Sequence, residues 1–412
     1  MYQISVKRIE QDLYDLSRFG YNENDQGVYR QGFSEADMQA RHWLMEKMQQ
    51  EGMTARLDGA ANVIGRYEND TNRDKPAVMI GSHLDSVPAG GIFDGTLGVM
   101  AGLECVRVIR ENAIDLSHPI EVVATSEEEG RFGGMLGSQA ISGGITPDWL
   151  ETAYDPSGET LKDAMARWDM DIHDVLHAYR HPDELKAFLE LHIEQGPVLE
   201  ARQIPIGVVD CISGVFKWVI HLRGKASHAG TAPMDMRSDA FMGAADFAHE
   251  IPRIIEEDGT DRSRLTIGRI ELKPGFPHTI PGEAEFTIVG RDTCAEVMTN
   301  LANSCRRVLS AIARRHGLMF EYEEMSWLDP KSCDPDMVEL LKSKAEARGY
   351  KYLQMPSGAG HDTQFMTDIT KAGLIFVPSV GGISHAPDEM THWVDIEKGA
   401  NLLLDAVLEL AA

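Results

Sequence analysis

Three imidazoles and two carboxylates stand in this chain where chemistry is most easily built. His83 and His192 lie in strand-like apolar runs and His385 just beyond one, while Asp94 sits in the Gly-rich PAGGIFDG and Glu129 in SEEEG. Mixed nitrogen and oxygen donors of this kind suit zinc, and equally manganese, cobalt or nickel. Five ligands exceed the three or four that one catalytic zinc needs, but they match two ions sharing a bridging carboxylate. The chain holds 15 histidines, and an isolated histidine is more often a surface or satisfied core residue. Spacing by itself does not join five residues so far apart.

The neighbours of these five residues add roles. Asp85 follows His83 by two positions, so on a strand both side chains project to one face. Its carboxylate is expected to take the imidazole's other N–H and fix the ring's tautomer; the competing reading is a cap on the following turn. Glu127-Glu128-Glu129 would ordinarily be a solvated acidic run, yet it comes directly after a buried-strand signal. With Glu129 on a metal, Glu128 is placed to act as base and then as acid, because a bound ion lowers the pKa of water to about 7.

Positioning such residues requires a covered sheet. Ala77 to Gly81 (AVMIG) and Ile120 to Thr125 (IEVVAT) read as buried strands, with a helix from Leu97 to Ile109 between them. Ser34 and Asp37 open an earlier helix that runs to Gly52. Strand–helix–strand repetition implies an α/β fold with a mixed, largely parallel sheet. Ligands collect beyond the carboxyl ends of such strands, where SHLDS and SEEEG fall. The texture changes near Ile206 to Asp210. Strands at Phe216–Leu222, Leu265–Ile270 and Ala284–Val289, with helices near Ala240–Ile255 and Ala295–His316, read as a separate α+β unit. After Asp329 the first texture returns, with a helix near Asp336–Arg348 and a strand at Leu374–Pro378. The catalytic domain is thus expected to be discontinuous, 1–207 with 326–412, around an insert at 208–325.

A formal charge of −26 over 412 residues argues against partners rich in phosphate, whether nucleic acid or an anionic membrane. Five cysteines without a CxxC pair fit free thiols in a reducing cytoplasm. No signal-peptide layout opens the chain, and no apolar run reaches the roughly 18 residues of a membrane span.

The segments GSHLDSVPAGGIFDG, TSEEEGRFGG, ELHIEQGPVLE, GKASHAGTAPM, PSGAGHD and GISHAPDE occur in this order. Together they resemble the N-carbamoyl-L-amino-acid hydrolase and allantoate amidohydrolase branch of the M20 metallopeptidase-like family, also β-ureidopropionase-like, over residues 10 to 405. The resemblance implies one metal on His83, Asp94 and His192 and a second on Asp94, Glu129 and His385, with Glu128 as general base. It implies that the insert dimerises the chain and closes over the site, and that His228 reaches the partner subunit's site to polarise the scissile carbonyl. It matches Gln195 to a substrate contact and Arg291 to the arginine that grips a substrate carboxylate, a task suited to a planar two-pronged donor. Gly358 and Gly360 are expected to present backbone groups to the ligand, since glycine allows close approach. Two departures stand out. His278 replaces the asparagine usual before Val-(Val/Ile)-Pro, and Met236-Arg237-Ser238-Asp239 replaces the usual Arg-Arg-Asp. The expected enzyme is therefore a homodimeric, two-metal amidohydrolase cutting the carbamoyl C–N bond of a small ureido acid. Allantoate, then an N-acyl amino acid or dipeptide, are the alternative substrates. A non-catalytic binding protein that kept the fold is the rival from another class, and retention of Glu128 with all five ligands speaks against it.

Overall fold

The computed structural model describes residues 2–412. The chain divides into two compact units, residues 1–210 with 332–412, and residues 211–331. The sequence placed these joins at 207/208 and 325/326.

The first unit is a mixed α/β layer. Seven of the nine strands of its sheet run in the order Thr54–Leu57, Val63–Tyr67, Ile120–Thr125, Ala77–His83, Leu185–Ile193, Ala372–Val377, Ile206–Ile212. The four middle members, from Ile120–Thr125 to Ala372–Val377, pair parallel to one another, and the flanking strands pair antiparallel. Three of the four are buried along their whole length, which is why they read as unbroken apolar runs rather than alternating ones. Helices Thr96–Glu111 and Trp393–Ala411 pack on the sheet. The former is buried over almost its full length, and a side chain at Gly98 would strike the Leu191 carbonyl. The helix Glu35–Gln50 begins as the sequence implied, with the Ser34 side chain accepting the Asp37 N–H. Short helices and turns between Leu136 and Glu184 form a lobe that the sequence did not signal, because each is only one or two turns long.

The second unit is a four-stranded antiparallel sheet in the order Met319–Leu328, Gly214–Arg223, Glu283–Asp292, Arg264–Lys273. Alternate residues Phe216, Trp218, Ile220 and Leu222 are buried with Phe286, Ile288, Phe247, Leu301 and Leu309, as a period of two requires for a sheet covered on one face. Helices Ala240–Asp258 and Ala295–His316 supply that cover. The strand Met319–Leu328 escaped the sequence reading because its glutamates hide the alternation. None of the five cysteines forms a disulfide. Among the described residues, no helix is long and apolar enough to cross a membrane.

Candidate metal centre

The carboxyl ends of the parallel strands in the first unit deliver the polar residues. His83 closes the strand Ala77–His83, and its Nδ1 lies 3.0 Å from the Asp85 backbone carbonyl. His192, near the end of Leu185–Ile193, places Nδ1 2.8 Å from the Ile193 carbonyl. A carbonyl only accepts, so each Nδ1 carries a hydrogen, which leaves Nε2 as the atom turned toward Asp94. Those two Nε2 atoms converge on Asp94 Oδ1, at 3.5 Å from His83 and 3.1 Å from His192. The other oxygen, Asp94 Oδ2, faces His385 Nε2 at 3.3 Å, and the same nitrogen lies 3.4 Å from Glu129 Oε2. Asp94 thus turns one oxygen to each of two ligand sets, His83–Asp94–His192 and Asp94–Glu129–His385.

The donors fit divalent cations. Glu129 Oε1 is buried without a hydrogen-bond partner, an arrangement that is costly unless a proton or a cation meets it. Charges in the cluster oppose one another. Burial and the charge of Asp94 push Glu129 up to about 7. Burial pushes Glu128 well above the usual range. Burial would also raise Asp94, but hydrogen bonds with His192, His385 and His83 hold it well below its ordinary value. Hydrogen bonding to Asp94 raises His385 to about 9. So many buried acids demand positive charge, as protons or as metal.

Asp85 corrects the sequence reading. Its Oδ1 is 3.9 Å from His83 Nδ1, too far for a hydrogen bond, and its own backbone carbonyl orients that ring instead. The carboxylate accepts the N–H of Glu128 on one oxygen and that of Glu129 on the other, both at 3.1 Å. Glu127, with φ at +54°, folds its side chain back onto the N–H groups of Phe132 and Gly134. The triplet therefore holds three different carboxylates: a loop former, a free acid 3.8 Å from His83 Nε2, and a candidate ligand.

Gln195 also has φ above zero, and its amide nitrogen donates to Asp94 Oδ2 at 2.9 Å and to Ser384 Oγ at 3.1 Å. Gly358 has open space where a side chain would stand, whereas at Gly360 one would strike Met135. The remaining candidates belong to the second unit. His228 is exposed on Ser227–His228, paired with Thr279–Ile280, and its Nδ1 accepts the Gly230 N–H. His278, also exposed, takes the Ala229 N–H on its carbonyl. Arg291 is half-buried, and among the described residues no carboxylate lies within ion-pair distance of it. Its sequence neighbour Asp292 is occupied by Thr260, Ser263 and the Cys294 N–H.

Sequence reasoning missed Glu389, which is 5% exposed and raised to about 7 by burial and by Asp94. It also missed the buried Asp362 and the buried Glu190, which has an oxygen within 4.8 Å of a His192 ring nitrogen. The only signal for Glu389 was its place four residues after His385 in GISHAPDE.

This fold has close counterparts. A model of the Peptidase family M20/M25/M40 matches residues 79–409, and the chain belongs to that family. It is a hydrolase, 38% identical over 403 residues to the N-carbamoyl-L-amino-acid amidohydrolase of Paenarthrobacter aurescens, covering 97% of this chain and 96% of that one. It is 31% identical over 412 residues to the allantoate amidohydrolase of Bacillus subtilis, covering 99% of each. The crystal structure of an amidase of the hydantoinase/carbamoylase family from Burkholderia multivorans superposes with a TM-score of 0.92 at 33% identity, covering 100% of this chain and 98% of that one.

Proposed function

We propose that the chain hydrolyses the carbamoyl C–N bond of an N-carbamoyl-L-amino acid or a related ureido acid, releasing the amino acid, carbon dioxide and ammonia. The observation that carries this reading is the division of Asp94 between two ligand sets, with Glu128 beside them. His83, Asp94 and His192 would hold one divalent cation, and Asp94, Glu129 and His385 a second, with zinc first and manganese, cobalt or nickel as alternatives. Bound there, such ions supply Lewis acidity and a water that loses its proton near neutral pH.

The chain's own residues do the rest. Glu128 takes the proton from the attacking water and returns it to the departing nitrogen. Burial raises its pKa above the ordinary carboxylate range, which makes it a stronger acceptor for the water's proton than an exposed glutamate. His228 donates to the carbonyl oxygen as charge develops there, acting on a partner copy in a homodimer. Arg291 grips the substrate carboxylate. Its lack of an internal acidic partner supports that role, because a half-buried guanidinium without one is open to an external carboxylate. Gln195, His278 and the backbone at Gly358 and Gly360 complete the substrate contacts.

Allantoate is the second reading, supported by the Bacillus subtilis relative of that name. The test is a panel of N-carbamoyl amino acids, allantoate and N-acyl amino acids, offered to metal-loaded protein. Ammonia release confined to the carbamoyl set is expected; turnover of allantoate alone would transfer the chain to the other branch.

A further inference from the structure

Asp94 lies in a loop and His385 in another, nearly three hundred residues apart, and nothing in either loop's own backbone fixes the distance between them. Two side chains that belong to neither ligand set connect them: Gln195, through its donations to Asp94 Oδ2 and Ser384 Oγ, and the more deeply buried Glu389. Glu389 Oε1 accepts the N–H of Phe93 at 3.2 Å and that of Asp94 at 3.1 Å. Its Oε2 accepts the hydroxyl of Ser384, the residue before His385, at 2.9 Å. Gly91 makes room for it: a β-carbon there would lie 2.4 Å from Glu389 Oε1. The side chain is therefore clasped between the loop of the shared carboxylate and the loop of the third imidazole.

We propose that Glu389 is a positioning residue that sets Asp94 against His385 and thereby the affinity for the second cation. It touches no ligand side chain through a hydrogen bond of its own; it acts through the backbone amides of one loop and the hydroxyl of the other. The requirement is geometric. An acceptor at the end of a side chain of this length is needed, and a charge is not. This rests on the two-cation reading above.

Three variants separate position from charge. Glu389→Gln keeps the length and the amide-facing oxygen, and its new N–H2 can donate to Ser384 Oγ. Glu389→Asp keeps the charge but is one methylene too short to span both loops. Glu389→Ala removes the link. The probe is zinc alone, titrated into metal-stripped protein against a competing chromogenic chelator, with circular dichroism to confirm folding. Outer contacts of this kind alter metal affinity by roughly 10- to 100-fold. The expected result is a loss of that size for the second ion in Glu389→Asp and Glu389→Ala, with the Gln variant within about threefold of the unaltered protein. Wild-type affinity in the Asp variant, or a Gln variant as weak as Ala, overturns the proposal. Should Ala fail to fold, the Gln and Asp pair decides alone. Unaltered protein that binds fewer than two ions would instead sink the two-cation reading.

Discussion

Asp85 and Glu128 are joined by a hydrogen bond from the Glu128 backbone N–H to Asp85 Oδ1 at 3.1 Å, matched by one from the next N–H, that of Glu129, to Oδ2. One carboxylate, 1% exposed, thereby fixes both the candidate base and a candidate ligand on the strand end that carries His83. Replacing Asp85 by Asn turns one acceptor into a donor facing an N–H, which leaves a buried donor unpaired at a cost of about 1–3 kcal/mol. We expect kcat to fall by roughly 10- to 100-fold with KM little changed, because Glu128 moves while the substrate contacts do not. Steady-state kinetics on metal-loaded Asp85→Asn will show it, and an unchanged kcat removes the clamp from the account.

Glu128→Gln should leave both ligand sets intact, since neither His83–Asp94–His192 nor Asp94–Glu129–His385 includes it. Turnover is expected to drop by about 10²- to 10⁴-fold, the usual range for a general acid–base group. Metal content measured on the same preparation should equal that of the unaltered enzyme. Near-normal turnover at full metal content would exclude Glu128 as the base.

Arg291→Lys keeps the charge but not the two-pronged donor. KM for a carboxylate-bearing substrate should rise at least about tenfold, equivalent to 1.4 kcal/mol of lost binding, while an analogue lacking the carboxylate should be turned over equally by both proteins. Equal KM values for the acid in the two proteins would assign Arg291 elsewhere.

Asp362 is raised to about 6 by burial and by the charge of Glu190, and its carboxylate accepts the Thr125 hydroxyl at 2.5 Å. In the unfolded chain it titrates near its ordinary value, so between about pH 4 and 6 the folded state binds more protons. Stability must then fall as pH rises through that window, by an upper bound of about 3 kcal/mol from this group. Thermal midpoints of metal-stripped protein between pH 4 and 7 should show the decline, and Asp362→Asn should flatten it. A variant whose pH slope matches the unaltered protein would contradict the assignment.

The sequence by itself carried a good deal. Unbroken apolar runs at Ala77 and Ile120 announced parallel strands, since such strands are covered on both faces. The helix read near Ala295–His316 runs over those residues in the fold. Residue type and setting also picked out His83, Asp94, Glu129, His192 and His385, because strand ends, glycine-rich loops and acids after a buried strand are local features.

What each polar atom faces was decided only by the folded chain. Asp85 lies two residues from His83, yet its carboxylate turns to a loop more than forty positions away, while a backbone carbonyl does the task expected of it. Glu389 gave little local signal beyond its place in GISHAPDE, because two of its partners, Phe93 and Asp94, come from the far end of the first unit's sequence. Hydrogen bonds act over about 3 Å of space, whatever the separation along the chain. Periodicity therefore reveals which residues line a layer, and only packing of the layers reveals which of them meet.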